Sequence, residues 1–380
     1  MDLDLTDAQR LAAETFRAFA SKEVAARAAE IDRTDEFPRD LYQRMADLGL
    51  LGMTLPAEYG GAGADTLTWT LCQEELARVS ASVAHGQLLC TILSELLVAH
   101  GSEAQRRRWL PAMVRGEAIC AIAQTEPGGG SDVAALQTTA RPTADGWVLN
   151  GTKRFITAAT VCDLAVVVAT TDPGLGREGI ALFLVEPGTP GFHRGGKDHV
   201  MGLHGAGTGE LVFEDCRVPR SALLGSQSGG FKRAMESLNV GRVGIAAQAL
   251  GVAQGALDAA VAYAKTRVAF GRPIAELQAI RFMLADMSAQ IEGVRLLVRR
   301  AAFLRDRGRA IARAASEAKL VAAETAVRVT HDALQIHGAS GYVTDFPIER
   351  LYRDARVYPI FEGTSQIQRL VIARQLLREG

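Results

Sequence analysis

The chain is expected to fold as an α+β protein with an N-terminal all-α domain, a small central β-barrel or sheet domain and a C-terminal four-helix bundle. Three observations predict this. Residues 1–118 carry a helical apolar period. From about 119 to 228 that period is lost, and short β-branched runs and glycine turns replace it. From 229 to 380, long alanine-rich helical stretches return. The order of helices, strands and then helices again argues for three segregated units rather than a βαβ series.

In the first unit, Thr6 can cap a helix through "TDAQRLAAETFRAFASKEVAARAAEID", with Leu11, Phe16 and Phe19 on one apolar face. Pro38 and the glycines at 49, 52, 60, 61 and 63 interrupt the helices. "TWTLCQEELARVSASVAHGQLLCTILSELLVAHG" resumes them as far as Gly101. In the second unit, Asp145-Gly146 and Asn150-Gly151 read as hairpin turns. "LAVVVATT", "GIALFLVE" and "GELVFEDCRVP" read as strands, and the whole as a set of hairpins. The third unit holds "GRVGIAAQALGVAQGALDAAVAYAKTR", "LQAIRFMLADMSAQIEGVRLLVRRAAFLRDRG" and "ARAASEAKLVAAETAVRVTHDALQIHG". Ser365-x-x-Gln368 reads as a capping box for the last helix.

Bulk properties narrow the function. With 380 residues and 48% apolar composition the chain can bury large cores, and a net charge of −1 argues against nucleic acid or an anionic membrane as partner. The five cysteines are scattered without a C-x-x-C pair, so neither a zinc site nor a disulfide framework is expected, and no other metal site either. A reducing, cytoplasmic setting fits them. No apolar run is expected to reach the roughly 20 residues of a membrane span.

Several motifs are decoys. Gly191–Lys197 has P-loop spacing, but Asp198 stands where a magnesium-binding hydroxyl is needed and no helix follows. "GAGTG" at 205–209 has no βαβ unit around it. His331 and His337 lack metal-ligand spacing, and there is no G-x-S-x-G elbow.

Two stretches remain. "AQTEPGGGSD" (123–132) offers three consecutive glycines through which backbone N–H groups can approach a ligand closely. Thr125 and Ser131 add hydroxyls. "YPIFEGTSQIQRL" (358–370) ends an apolar run in a single carboxylate, Glu362, followed by Gly363. On composition alone the first is equally an interdomain loop. The second is equally an acid favouring the positive end of the next helix.

The wider pattern resembles the acyl-CoA dehydrogenase family over nearly all of the chain. The resemblance rests on "TEPGGGSD", "KRFIT", "LVFEDCRVP", "TRVAFGRPIAELQAIRFMLADM" and "QIHGASGYVTDFPIERLYRDARVYPIFEGTSQIQRLVIAR". It is nearest to the short-chain, butyryl-type branch. It implies FAD-dependent α,β-dehydrogenation of an acyl-CoA, with electrons passed to an electron-transfer flavoprotein by a homotetramer built as a dimer of dimers. Glu362 is implied as the base that removes the α-proton. The rival position used by other branches falls on Gly241, which cannot act as one. FAD contacts are implied for Thr125, Gly130, Ser131, Phe155 and Thr157. Arg267, Phe270 and Gln278 are implied for a neighbouring subunit's FAD, and Gln335, Gly338, Thr364 and Gln366 complete the set. Ser131, Arg242, Phe361 and Gly363 are implied on the substrate side. Burial behind Tyr358 and Phe361 is expected to raise the Glu362 pKa. Phe155 stands where many relatives have Trp, and Ala158 where they have Asn. Two further readings stay open on the same fold: an acyl group on a carrier protein as substrate, and oxygen as the electron acceptor.

Overall fold

The computed structural model describes residues 4–377, so residues 1–3 and 378–380 of the two outer domains lie outside the described residues. Six helices come first: α1 (Asp7–Phe19), α2 (Ala25–Thr34), α3 (Arg39–Asp47), α4 (Thr66–Ala77), α5 (Ala81–His100) and α6 (Glu103–Val114). Thr6 caps α1 as expected, in a full capping box with Gln9. A π-type turn at Ala20–Val24 joins α1 to α2.

Seven strands follow: β1 (Cys120–Ala123), β2 (Thr139–Pro142), β3 (Gly146–Ile156), β4 (Leu164–Thr170), β5 (Ile180–Val185), β6 (Phe192–Lys197) and β7 (Gly209–Pro219). Their order is β1-β4-β2-β3-β7-β6, with β5 paired to β4. The expectation of hairpins alone is corrected here, because β4 runs parallel to both β1 and β2. Asp145-Gly146 does turn β2 into antiparallel β3. Asn150-Gly151 does not form a turn. It lies inside β3 at a register shift, where Gly151 adopts φ +147° and the Asn150 side chain bonds Asp215 on β7. β4 and β5 are buried on both faces. Leu164, Val166 and Val168 meet the helical core, while Ala165, Val167 and Ala169 fill the interior of the sheet domain. Double burial explains their unbroken apolar runs.

The last unit is built on α7 (Gly230–Thr266), a short hairpin β8 (Val268–Ala269) and β9 (Arg272–Pro273), α8 (Gln278–Asp306), α9 (Ala312–His337), α10 (Ile348–Ala355) and α11 (Ser365–Leu376). Helices α7, α8, α9 and α11 form the bundle, with α9 packed against the other three. The cap of α11 falls one residue earlier than expected. Thr364 accepts from the Ile367 N–H at 3.2 Å, and Gln368 is drawn away to backbone carbonyls of the preceding loop.

Contrary to the expectation about apolar runs, α5 and a window of α7 are long and apolar enough to cross a membrane. Of those windows 83% and 72%, respectively, is buried inside the protein, and core packing accounts for their composition.

Candidate active site

The loop between α10 and α11 carries Glu362. Backbone bonds from Ile360 and Phe361 to the Val357 carbonyl wind it into a turn. Glu362 at φ +53° and Gly363 at φ +89° then reverse the chain. The left-handed region suits Gly363 but strains a residue with a Cβ, by about 1–2 kcal/mol. Two buried side chains hold the strained turn. Lys319 Nζ, from α9, donates to the Tyr358 carbonyl at 2.6 Å and the Gly363 carbonyl at 2.7 Å. Gln368 Nε2 donates to the Gly363 carbonyl at 2.8 Å and the Glu362 carbonyl at 3.3 Å.

The Glu362 carboxylate points into the protein. Its Oε2 is sealed from solvent and accepts no hydrogen bond. Gly241 on α7 lies against it, since a Cβ there would sit 2.9 Å from Oε2 and 3.1 Å from Ile92 of α5. Tyr358 is fully buried, and Phe361 sits between it and His85, edge-on to the phenol at 5.5 Å and stacked on the imidazole at 5.2 Å. Ile360 is exposed, so the apolar wall is narrower than the sequence run suggests.

Burial pushes the Glu362 carboxyl above its ordinary value, while the charges of Arg242 and Lys319 pull it back. Arg242 is buried beside Gly241, with Nη1 bonded to Asn239 at 2.9 Å and Nε without a partner. Desolvation lowers its pKa, opposed by Glu362. Thus a carboxylate, a guanidinium and an ammonium share one buried site, with hydrogen-bonding capacity left over on the carboxylate and the guanidinium.

The glycine loop is a second constellation. Glu126 and Gly129 exchange backbone bonds at 3.1 and 3.0 Å, closing a tight turn. Gly128 and Gly129 face open space, where an added Cβ would meet nothing within 4 Å. Beneath them the buried Glu126 carboxylate accepts from Lys153 at 2.8 Å and from the backbone N–H groups of Gln137 and Thr138. Lys153 also bonds the Gln124 carbonyl, and the Arg154 N–H bonds the Thr125 carbonyl. This hub fixes the loop to β3. There a register shift between Lys153 and Ile156 turns Phe155 outward at φ +57° and 58% exposure, with Thr157 half-buried next to it. A bulky residue at positive φ with an exposed ring marks a place shaped for something other than the core.

The two constellations are linked. The Ala158 N–H bonds the Ala206 carbonyl, and Asp354 of α10 accepts from the Leu203 N–H at 2.7 Å. The remaining expected residues lie apart. Arg267 precedes the β8–β9 hairpin, Phe270, 91% exposed, lies in its turn, and Gln278 starts α8. Gln335 and Gly338 end α9 near Tyr263, which stacks on His337 and bonds Ser340. Gln335 lies sixteen positions beyond Lys319, about 24 Å along α9. Thr364 and Gln366 stand at the start of α11, close to Glu362 in the chain. Lys319, Gln368, Glu126 and Lys153 were not expected from the sequence. An isolated lysine in the alanine-rich buried stretch of α9 was the available signal for Lys319.

Comparison with known proteins agrees with this architecture. The acyl-CoA dehydrogenase N-terminal, middle and C-terminal domain families match residues 6–117, 121–216 and 228–377. The human protein "Short-chain specific acyl-CoA dehydrogenase, mitochondrial" is 46% identical over 380 residues, covering 99% of this chain and 92% of its own. Butyryl-CoA dehydrogenase from Megasphaera elsdenii superposes with a TM-score of 0.97 at 41% identity, over 100% of both chains. A chain from a structure described as the electron transferring flavoprotein of Acidaminococcus fermentans gives 0.97 at 43% identity, again over 100% of both. With all three domain families present in order and end-to-end identity above 40%, the chain belongs to the acyl-CoA dehydrogenase family of oxidoreductases acting on CH–CH bonds.

Proposed function

We propose that the protein oxidises a short-chain acyl-CoA thioester to its trans-2-enoyl-CoA, with Glu362 as the base. The observation that carries this reading is the sealed, unpartnered Oε2 of Glu362 beside Gly241, with two cations acting on the carboxylate. A carboxylate in water is a weak base, whereas burial raises its proton affinity. Arg242 and Lys319 oppose that rise. Glu362 then takes the α-proton, and its own backbone N–H would stabilise charge on the thioester oxygen.

FAD is the cofactor the site fits. The open glycine cradle, the outward Phe155 ring and the Thr364-capped start of α11 offer backbone donors, a planar apolar face and a helix N-terminus for phosphate. Thr125, Gly130, Ser131, Phe155 and Thr157 would hold its ring side. When bound, FAD supplies the acceptor for the hydride from the β-carbon. The exposed group of Arg267, Phe270, Gln278, Gln335 and Gly338, remote from Lys319 along α9, suits the FAD of a second copy and a homotetrameric assembly. Electrons leave to an electron-transfer flavoprotein, and the five buried free thiols suit a cytoplasmic, reducing setting.

A short acyl chain is supported by packing one turn beyond Gly241. A Cβ on Gly244 would lie 2.2 Å from Leu88 and 2.6 Å from Trp69, so the space along α7 is already filled. The test is anaerobic bleaching of the flavin absorbance by acyl-CoAs from C4 to C16. Bleaching is expected to be fastest at C4 to C6, and Glu362→Gln to retain FAD while reducing it over ~100-fold more slowly. Rapid bleaching by an acylated carrier protein alone, or an unimpaired glutamine variant, would overturn the reading.

A further inference from the structure

Lys319 touches no reacting atom in the proposed chemistry beyond lending charge near Glu362, yet its placement is unusual. It is fully buried on a stretch of α9 lined by Ala315, Ser316, Ala318, Ala322 and Ala323. A lysine taken out of water normally pairs with a carboxylate, because an unpaired buried charge is costly. Its two hydrogen bonds go instead to the carbonyls of Tyr358 and Gly363, one on each side of Glu362. Neutral donors would satisfy those carbonyls at lower desolvation cost. What a neutral side chain would not supply is charge near Glu362. The charged groups facing that carboxylate are Arg242 from α7 and Lys319 from α9. His85 of α5, which stacks on Phe361, is held neutral by burial, with a pKa of about 4. Gln368 of α11 carries no charge. Asp354 of α10 reaches Tyr358 rather than the base.

We infer that Lys319 is the positioning residue for Glu362: its ammonium fixes the backbone on both sides of the base and supplies, with Arg242, the positive charge that the carboxylate meets. The inference rests on Glu362 being the base. It goes further by assigning the left-handed turn and part of the carboxylate's ionisation to a residue 43 positions upstream. Burial brings the Lys319 ammonium down to about 7, inside the pH range of the test that follows.

The test uses the FAD-loaded enzyme, with butyryl-CoA as probe, in anaerobic flavin reduction from about pH 5.5 to pH 9. It compares wild type with Lys319→Met, Lys319→Gln and Glu362→Gln. Methionine removes donors and charge. Glutamine keeps an amide donor and removes charge alone, so it serves where methionine prevents folding. Both lysine variants are expected to bind FAD and to bind butyryl-CoA within ~3-fold of wild type. Their reduction rate at saturating substrate falls ~10-fold or more, and the acid limb of the pH profile moves up by about one unit, as loss of one nearby charge predicts. A structural role alone would lower stability and leave that limb in place. An unmoved acid limb in either folded variant overturns the inference and leaves Glu362 as base. A Glu362→Gln enzyme that reduces flavin at the wild-type rate removes the base itself, and the inference with it.

Discussion

At residue scale, the contact between Gly241 and Glu362 sets the tightest constraint in the site. Any side chain at 241 places its Cβ 2.9 Å from Oε2 and 3.1 Å from Ile92, so the carboxylate must move. Gly241→Ala is therefore expected to leave the fold and FAD content unchanged, because alanine is a better helix residue than glycine by about 1 kcal/mol. Flavin reduction is expected to slow ~100-fold, the scale of an ångström of misplacement at a reacting group. Stopped-flow reduction alongside a thermal melt separates the two effects, and an alanine variant with wild-type rate would show that the carboxylate does not work from this position. Glu362 itself could be read in the sequence as an acid ahead of a helix, and the absence of a glutamate at 241 narrowed the choice of base. Its left-handed φ could not be read, because the side chains that hold it, Lys319 and Gln368, act through tertiary contacts.

At the scale of elements, local signals were legible and long-range pairings were not. The Thr6 cap, the Asp145-Gly146 hairpin and the strand character of β4 and β5 follow from residue pattern alone, whereas the burial of both faces of those strands shows only in the packing. The parallel pairing of β4 with β1 and β2 joins segments tens of residues apart and leaves no local trace. Asn150-Gly151 carries a turn signal yet continues a strand, since Asp215 across the ladder satisfies Asn150 and the bulge absorbs the glycine. That bulge belongs to the same strand as the Lys153–Glu126 hub, the main anchor of the glycine loop. Removing one partner strands a charge whose counterpart is buried, at a cost of about 3–5 kcal/mol. Lys153→Met is accordingly expected to lower the melting temperature by several degrees. FAD content in the purified protein should fall with it, because the Gln124 and Glu126 anchors are lost together. Full FAD occupancy in a destabilised variant would detach the hub from the cradle.

For the whole molecule, the seam joining the three units decides how the two constellations stay in register. Arg353 of α10 forks onto Asp32 of α2 and onto Glu349, and its Nη1 reaches the Met201 carbonyl. His204 bonds the Asp32 carbonyl, and Ser82 of α5 bonds the His204 carbonyl. Asp354 is fully enclosed in this seam, and its carboxyl is raised to about 6, chiefly by burial and against the pull of the Leu203 N–H and Arg350. The sign of its pH effect follows. Because the folded value exceeds the ordinary 3.8, the folded state binds the proton more tightly between about pH 4 and pH 6. Protonation in that window favours folding, and as pH rises through 6 the cost of an enclosed carboxylate is fully felt. Asp354→Asn keeps an oxygen for Leu203 and carries no charge. Its melting temperature relative to wild type is therefore expected to improve from pH 4 to pH 6 and to level off above pH 7. Melts of both proteins across that range measure the difference directly. A difference that stays flat with pH would mean that the seam pays no charge penalty at Asp354, and that Arg350 and Arg353 neutralise it despite its burial.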